Sequence, residues 1–147
     1  YDRLAAEAGG GSTARRSLST GLGIGSRLPA YCSALGRVAL ASLPPAEAAR
    51  RVKAMQRFPL TPKSIYEADA VLAAVERCRQ EGWSASDEEL ELGVRSMAVP
   101  VHDRNGTFVG GLSISVRAER MSMSEFRDTL LPVLQKAGDR LGEQLYE

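Results

Sequence analysis

The chain has 147 residues, 44% of them apolar and 25% charged, a balance that suits one globular domain and excludes collagen-like, mucin-like and wholly disordered classes. Nineteen basic against eighteen acidic side chains leave a formal net charge of +1, too small an excess to mark a nucleic-acid surface by field strength. No apolar run approaches the roughly 18 residues of a membrane span and the start has no signal-peptide pattern, so a soluble cytoplasmic protein without membrane contact is expected.

In chain order, Gly9-Gly10-Gly11-Ser12-Thr13 has the composition of a loop between two extended pieces. From Leu18 to Ile24, Leu18, Thr20, Leu22 and Ile24 alternate with Ser17, Ser19, Gly21 and Gly23, the period-two pattern of a half-buried strand. Gly25 to Pro29 breaks it. Tyr31 to Leu43 reads as a short helix rich in Ala, Leu and Val, stopped by Pro44-Pro45. Ala46 to Gln56 reads as a solvated outer helix carrying Arg50, Arg51 and Lys53.

Ser64 and Glu67 have the spacing of a capping box before a third helix, in which Ala68, Val71, Leu72, Val75 and Cys78 recur at helical intervals and Gly82 supplies the stop. Cys78 is therefore expected in the core. After the acidic stretch Asp87 to Glu91, Val94 to Val101 and Thr107 to Val116 read as two strands joined by an Asp103-Arg104-Asn105-Gly106 turn, the Asn-Gly pair being a hairpin signal. Ser122 and Glu125 repeat the capping-box spacing before a long terminal helix. There Phe126, Leu130, Leu134, Ala137, Leu141 and Leu145 form one apolar stripe, and Pro132 is expected to kink it or tighten its early turns. The order of elements gives an α+β fold with an antiparallel central sheet flanked by helices.

The hairpin carries the functional signal. An even-length loop opposes even residues of the first strand to odd residues of the second, placing Ser96, Ala98 and Pro100 beside Ser115, Ser113 and Gly111. A sheet face lined by Ser, Ala and Gly fills little volume, so bulky side chains must cover it or a hollow remains, and a hollow with hydroxyls on its floor suits a small polar ligand. Ser113 and Ser115 equally suit a solvated sheet face, and periodicity does not separate the two.

Other chemistries find less support. Cys32 near a helix start, with His102 as base, would be the pair of a small cysteine-nucleophile enzyme, but His102 sits beside the hairpin turn and no third residue orients it. Gly21-Leu22-Gly23-Ile24-Gly25 lies in a strand pattern with Pro29 following, against a dinucleotide loop. Two separated cysteines and one histidine make no metal set and fit a reducing compartment, so neither metal nor cofactor is expected. The terminal stripe suits either a core or an oligomer contact.

Three stretches carry a family likeness: Gly25-Ser26-Arg27-Leu28-Pro29-Ala30-Tyr31-Cys32-Ser33-Ala34-Leu35-Gly36-Arg37, then Leu92-Gly93-Val94-Arg95-Ser96-Met97-Ala98-Val99-Pro100-Val101, then Gly111-Leu112-Ser113-Ile114-Ser115. Together they resemble the effector-binding domain of IclR-type bacterial transcriptional regulators, from about Ser17 to the C-terminus. The Arg27 to Ser33 stretch is most similar to the regulators of the β-ketoadipate pathway, which respond to protocatechuate, 4-hydroxybenzoate or β-ketoadipate.

The resemblance implies a GAF-like fold over residues 1–147 and a non-catalytic sensor of a small organic acid. It also implies a homodimer or homotetramer, with operator DNA contacted by an N-terminal winged helix-turn-helix absent from this chain. The opening Tyr1, in place of Met, is what a piece of a longer protein would show. By position the resemblance assigns effector contacts to Ala34, Leu35 and Gly36, to Ser96, and to Ser113 and Ser115. Where the glyoxylate-responsive member has an Asp, this chain has Ser86, which argues against a small oxo acid. For an anionic effector, the helix start around Ala30 to Ser33, which includes Cys32, offers backbone N–H groups with a favourable dipole. Arg27 or Arg95 is a candidate carboxylate clamp, and Tyr31 and Trp83 are candidate walls for an aromatic ring, each with an ordinary structural alternative.

Overall fold

The computed structural model describes residues 28–145, so the expected strand at Leu18–Ile24, the Gly-rich loop and Arg27 lie outside the described residues. Within these, helix α1 spans Ala34–Ala41, α2 Pro45–Ala54, α3 Ala68–Glu81 and α4 Met123–Gln144. Strands β1 (Ser84–Asp87), β2 (Val94–His102) and β3 (Phe108–Arg117) form an antiparallel sheet in the order β1-β2-β3. The expected α+β class with a long C-terminal helix holds.

Residues 30–33 form a turn, so α1 starts later than its composition predicts. Ser33 is the N-cap, its hydroxyl accepting from Gly36 N at 3.1 Å. Such a cap intercepts the helix wherever a Ser stands free to fold back. Gly36 is needed for a different reason: a Cβ there would sit 2.4 Å from Ala30 Cα, so only glycine lets the turn lie against the helix.

Pro45 opens α2, where the missing N–H costs nothing, and Ala48 and Val52 are buried beneath its solvated basic face. The third helix has no capping box. Glu67 is its N-cap without a side-chain bond, while Ser64 Oγ accepts from Leu60 and Thr61 N–H and donates to Glu89 O, organising a loop instead. Val71, Val75 and Cys78 are buried as expected, and Gly82 ends the helix at φ 81°.

The serine register is the expected one: Ser96 opposes Ser115, Ala98 opposes Ser113 and Pro100 opposes Gly111. Its cause differs. The loop between His102 and Phe108 has an odd length, which alone would reverse the parity, and a bulge at Val101/His102 restores it by leaving Val109 as the extra residue. Asp103 holds that loop through its carboxylate, which accepts from Asn105 and Thr107 N–H.

Strand β1 has no sequence signal of its own, since Ser84-Ala85-Ser86-Asp87 lacks β-branched or aromatic residues. It pairs with β2 through Ser84–Ala98 and Ser86–Ser96, which extends the serine face across three strands.

Helices cover both faces. On one, Ala34 and Val38 of α1 pack over Ala98, while α1, α2 and α3 share a core of Tyr31, Leu40, Val52, Val71 and Val75. On the other, Met97 and Val99 meet Phe126, Leu131 and Leu134 of α4. Each such side chain contributes about 1.5–3 kcal/mol on burial.

The apolar stripe expected on α4 holds at Phe126 and Leu134 but not beyond, because Ala137, Leu141 and Leu145 are exposed. Gly138 and Gly142 are buried instead, bringing the helix backbone onto β2 so closely that a Cβ on Gly142 would stand 2.0 Å from His102 O. The helix continues through Pro132.

Candidate functional site

Ser86, Ser96 and Ser115 stand in one row across β1, β2 and β3. Ser96 Oγ and Ser115 Oγ share a hydrogen bond of 2.8 Å and both residues are half-buried. Ser86, itself buried, donates to Cys32 O at 2.7 Å, and Ser84 in the neighbouring row donates to Ala34 O at 2.9 Å. These bonds place the Cys32–Ala34 segment directly above the serine face. Ser113 belongs to the same face, in the row of Ser84 and Ala98.

The start of α1 gives this arrangement its electrostatic character. The first intrahelical bond runs from Arg37 N to Ser33 O, and the Ser33 hydroxyl satisfies Gly36 N. The preceding amides of Ala34 and Leu35 come before these bonds, where N–H groups and the positive end of the helix dipole suit an anion. Leu35 and Val38 lie against Gly111, where a Cβ would approach Leu35 Cδ2 to 2.8 Å, so the small residue on β3 lets the helix sit low on the sheet.

The other candidates divide. Cys32 is buried, and burial pushes its thiol up to about 12; its carbonyl, not its sulfur, touches the serine row. His102 is exposed, edge-on to Phe108, and stands six residues along β2 from Ser96, about 20 Å at the usual strand rise. The Cys32–His102 enzyme pair is therefore not assembled. At Gly36 a Cβ would meet Ala30 and the Ser33 hydroxyl, so the helix start packs against its own turn there.

Arg95 and Trp83 are on the wrong side of the sheet for the site assigned to them. Arg95 points to the α4 face, where it donates to Asp87 Oδ1 at 2.8 Å and to the carbonyls of Ala118 and Met121. Trp83 packs with Ala85, Met123 and Met97 on that same face and borders a separate cleft of about 210 Å³ against α3. Tyr31 is buried, and its hydroxyl donates to Phe58 O at 2.6 Å.

Sequence reasoning did not single out two residues that shape this region. Arg37 and Glu89 form a buried ion pair of 2.5 Å, with Arg37 Nε also donating to Tyr31 O at 2.8 Å. The available signal was an Arg inside an otherwise Ala/Val/Leu helix, four residues after its N-cap. Among the described residues no group of three or more His, Cys, Asp or Glu could hold a metal ion, and no helix is long and apolar enough to cross a membrane.

A short helix aimed across a hydroxyl-bearing antiparallel sheet, with a long helix behind, is matched by known proteins. The family model described as bacterial transcriptional regulator IclR, C-terminal, matches residues 12–142. The chain belongs to the IclR C-terminal family. The Pca regulon regulatory protein of Pseudomonas putida is 33% identical over 135 residues, 92% of this chain and 46% of that protein. This IclR-type domain thus spans about half the length of the curated relatives it matches, and those relatives are named as regulators rather than enzymes.

Among solved structures, a double mutant of the PobR inducer-binding domain from Acinetobacter, in complex with 3-hydroxybenzoic acid, is 29% identical with a TM-score of 0.78, covering 83% of this chain and 70% of that one. The C-terminal domain of Escherichia coli KdgR is 32% identical with a TM-score of 0.73, covering 81% of this chain and 72% of that one.

Proposed function

We propose that this IclR-type domain senses a small organic acid, bound between the start of α1 and the serine face, and that occupancy changes how a DNA-binding domain elsewhere in the longer protein meets its operator. The single observation that carries the reading is the half-buried Ser96–Ser115 hydroxyl pair, in one row with Ser86, whose own hydroxyl reaches the turn that leads into α1. Hydroxyls and backbone N–H groups together recognise a carboxylate and a ring hydroxyl without a cation. The fitted contacts are Ser33, Ala34 and Leu35 from the roof and Ser96, Ser113 and Ser115 from the floor, with Cys32 acting through its backbone.

The likeness to Pca and PobR regulators supports an aromatic acid, protocatechuate or a hydroxybenzoate, or β-ketoadipate, as effector and a role in aromatic acid catabolism. Among the described residues Arg37 and Arg95 are both spent on protein groups, which leaves the helix start to meet the acid's charge. That favours one carboxylate over two. A homodimer or homotetramer working in the cytoplasm completes the proposal, since effector binding acts only by differing in affinity between two arrangements.

Titration calorimetry with 3-hydroxybenzoate, 4-hydroxybenzoate, protocatechuate and β-ketoadipate tests it. Saturable binding by one of them that Ser113→Leu abolishes, in a variant that still folds, is the expected result; binding undisturbed in that variant removes the strand serines from the site.

A further inference from the structure

The turn at residues 30–33, which roofs the serine row, is held through two adjacent carbonyls. Cys32 O accepts from Ser86 Oγ at 2.7 Å, and Tyr31 O accepts from Arg37 Nε at 2.8 Å. The rest of the Arg37 guanidinium bonds groups other than the serine hydroxyls. Nη1 donates to Ala85 O at 3.2 Å and to Glu89 Oε2 at 2.8 Å, and Nη2 donates to Glu89 Oε1 at 2.5 Å. Glu89 Oε1 also accepts from Ile65 N at 3.0 Å, and Glu89 O accepts from Ser64 Oγ at 2.6 Å. The two side chains are 2% and 5% exposed.

A buried ion pair is a poor source of stability, because well-packed apolar side chains of similar volume do as well or better. What a bidentate Arg–carboxylate fork supplies is fixed planar geometry. Here that geometry ends on the carbonyl next to the one held by the serine row. The turn therefore has two anchors, one inside the site and one outside it.

We infer that Arg37 and Glu89 are positioning residues of the effector site, setting the height and direction of the 30–33 turn above Ser86, Ser96 and Ser115 and thereby the affinity for the acid. This rests on the sensor reading above. Neither residue touches the ligand, since both are occupied by protein groups; they act through Tyr31 O and, by way of the Arg37 backbone N–H, through Ser33 O. The same pair links the roof to the segment at residues 61–65, where Thr61 Oγ1 donates to Glu88 O at 2.7 Å.

The test uses the full chain and four probes: 3-hydroxybenzoate, 4-hydroxybenzoate, protocatechuate and β-ketoadipate. Urea melts by circular dichroism establish that each variant is folded before calorimetry. In a two-state domain that stays more than about 99% folded, a purely structural loss leaves the Kd unchanged. Arg37→Lys and Glu89→Gln are expected to stay folded and to raise the Kd of whichever probe the parent chain binds by about tenfold or more. A Kd within about twofold of the parent in both overturns the positioning role and leaves the sensor reading standing. A parent chain that binds none of the four overturns both.

Should the variants fail to fold, amide exchange on the parent chain decides. A saturating probe is expected to slow exchange at Gly36 in the roof and, through Glu89, at Ile65. Slowing at Gly36 with Ile65 unchanged overturns the inference.

Discussion

Replacing Ser96 and Ser115 by Ala, singly and together, separates a ligand site from an ordinary sheet-face contact. The two hydroxyls bond each other at 2.8 Å on half-buried residues, so a single deletion leaves its partner within reach of water, and the loss of stability is expected near the low end of about 0.5–1.5 kcal/mol. The double variant leaves no orphan, so it should be less destabilised than the two singles summed, with a coupling of about 0.5–1 kcal/mol. Binding scales differently. A hydroxyl that meets a carboxylate makes a charge-assisted bond of about 1.5–3 kcal/mol, so each single variant should weaken the Kd by roughly ten- to a hundredfold. Urea unfolding and calorimetry on the same samples read the two effects. Weak destabilisation with an unmoved Kd in all three variants would refute the reasoning, because the serines would then serve only each other.

The same structure sets other expectations. Gly142→Ala drives a Cβ to 2.0 Å from His102 O, backbone that does not yield, so overpacking of about 1–3 kcal/mol or more should outweigh the roughly 1 kcal/mol gained in helix propensity. Gly138→Ala meets Val99 Cγ2 at 3.2 Å, a side chain that gives, so its unfolding free energy from urea melts should stay within about 1 kcal/mol of the parent; equal effects at both glycines would contradict the packing described. Ser86→Ala leaves the buried Cys32 carbonyl without its donor and should cost about 1–3 kcal/mol, read by thermal unfolding.

Burial pushes the Cys32 and Cys78 thiols up to about 12 and about 11, against about 8.5 in an unfolded chain, so the unfolded state binds fewer protons in that window. Their contribution is complete below pH about 8.5 and declines as pH rises toward 11 and 12, by up to about 1.4 kcal/mol per pH unit per thiol. Flat stability from pH 8 to 10.5, or rapid reaction of native thiols with a disulfide reagent at pH 7.5, would contradict it. Hydroxybenzoates should bind more tightly than the dianion β-ketoadipate, as competition calorimetry would show.

Much of the fold was legible because it rests on local rules. The capping box at Ser122–Glu125, the αL stop at Gly82 and the period-two pattern of the hairpin each require only neighbours in sequence. The terminal stripe failed where the deciding contact was tertiary. From Leu134 the helical period allows a line through Ala137 and Leu141 or one through Gly138 and Gly142, and hydrophobicity favours the first. The structure takes the second because backbone approach of a helix to β2 requires the absence of side chains, a property no apolar count records. Strand β1 was invisible for a related reason: four small or polar residues become a strand only because β2 offers them a paired edge.

The site shows the same division. Ser96 and Ser115 meet by strand parity, and the same parity puts Arg95 on the opposite face from Ser96, so Arg95 cannot clamp an acid held by these serines. Trp83 required knowledge of β1, after which its odd number puts it with Ala85 and Asp87, away from Ser84 and Ser86. With both removed, and with Arg37 committed to Glu89 and two carbonyls, the described serine face presents hydroxyls and helix-start amides in place of a cation. A binding site built this way depends on where its roof is held more than on any one charge, because hydroxyls and amides act only at hydrogen-bond distance while a free guanidinium acts over several ångströms. Mutations that tilt the 30–33 turn should therefore weaken the acid as much as mutations of the serines themselves, although nothing in the local sequence of Arg37 or Glu89 marks them as part of the site.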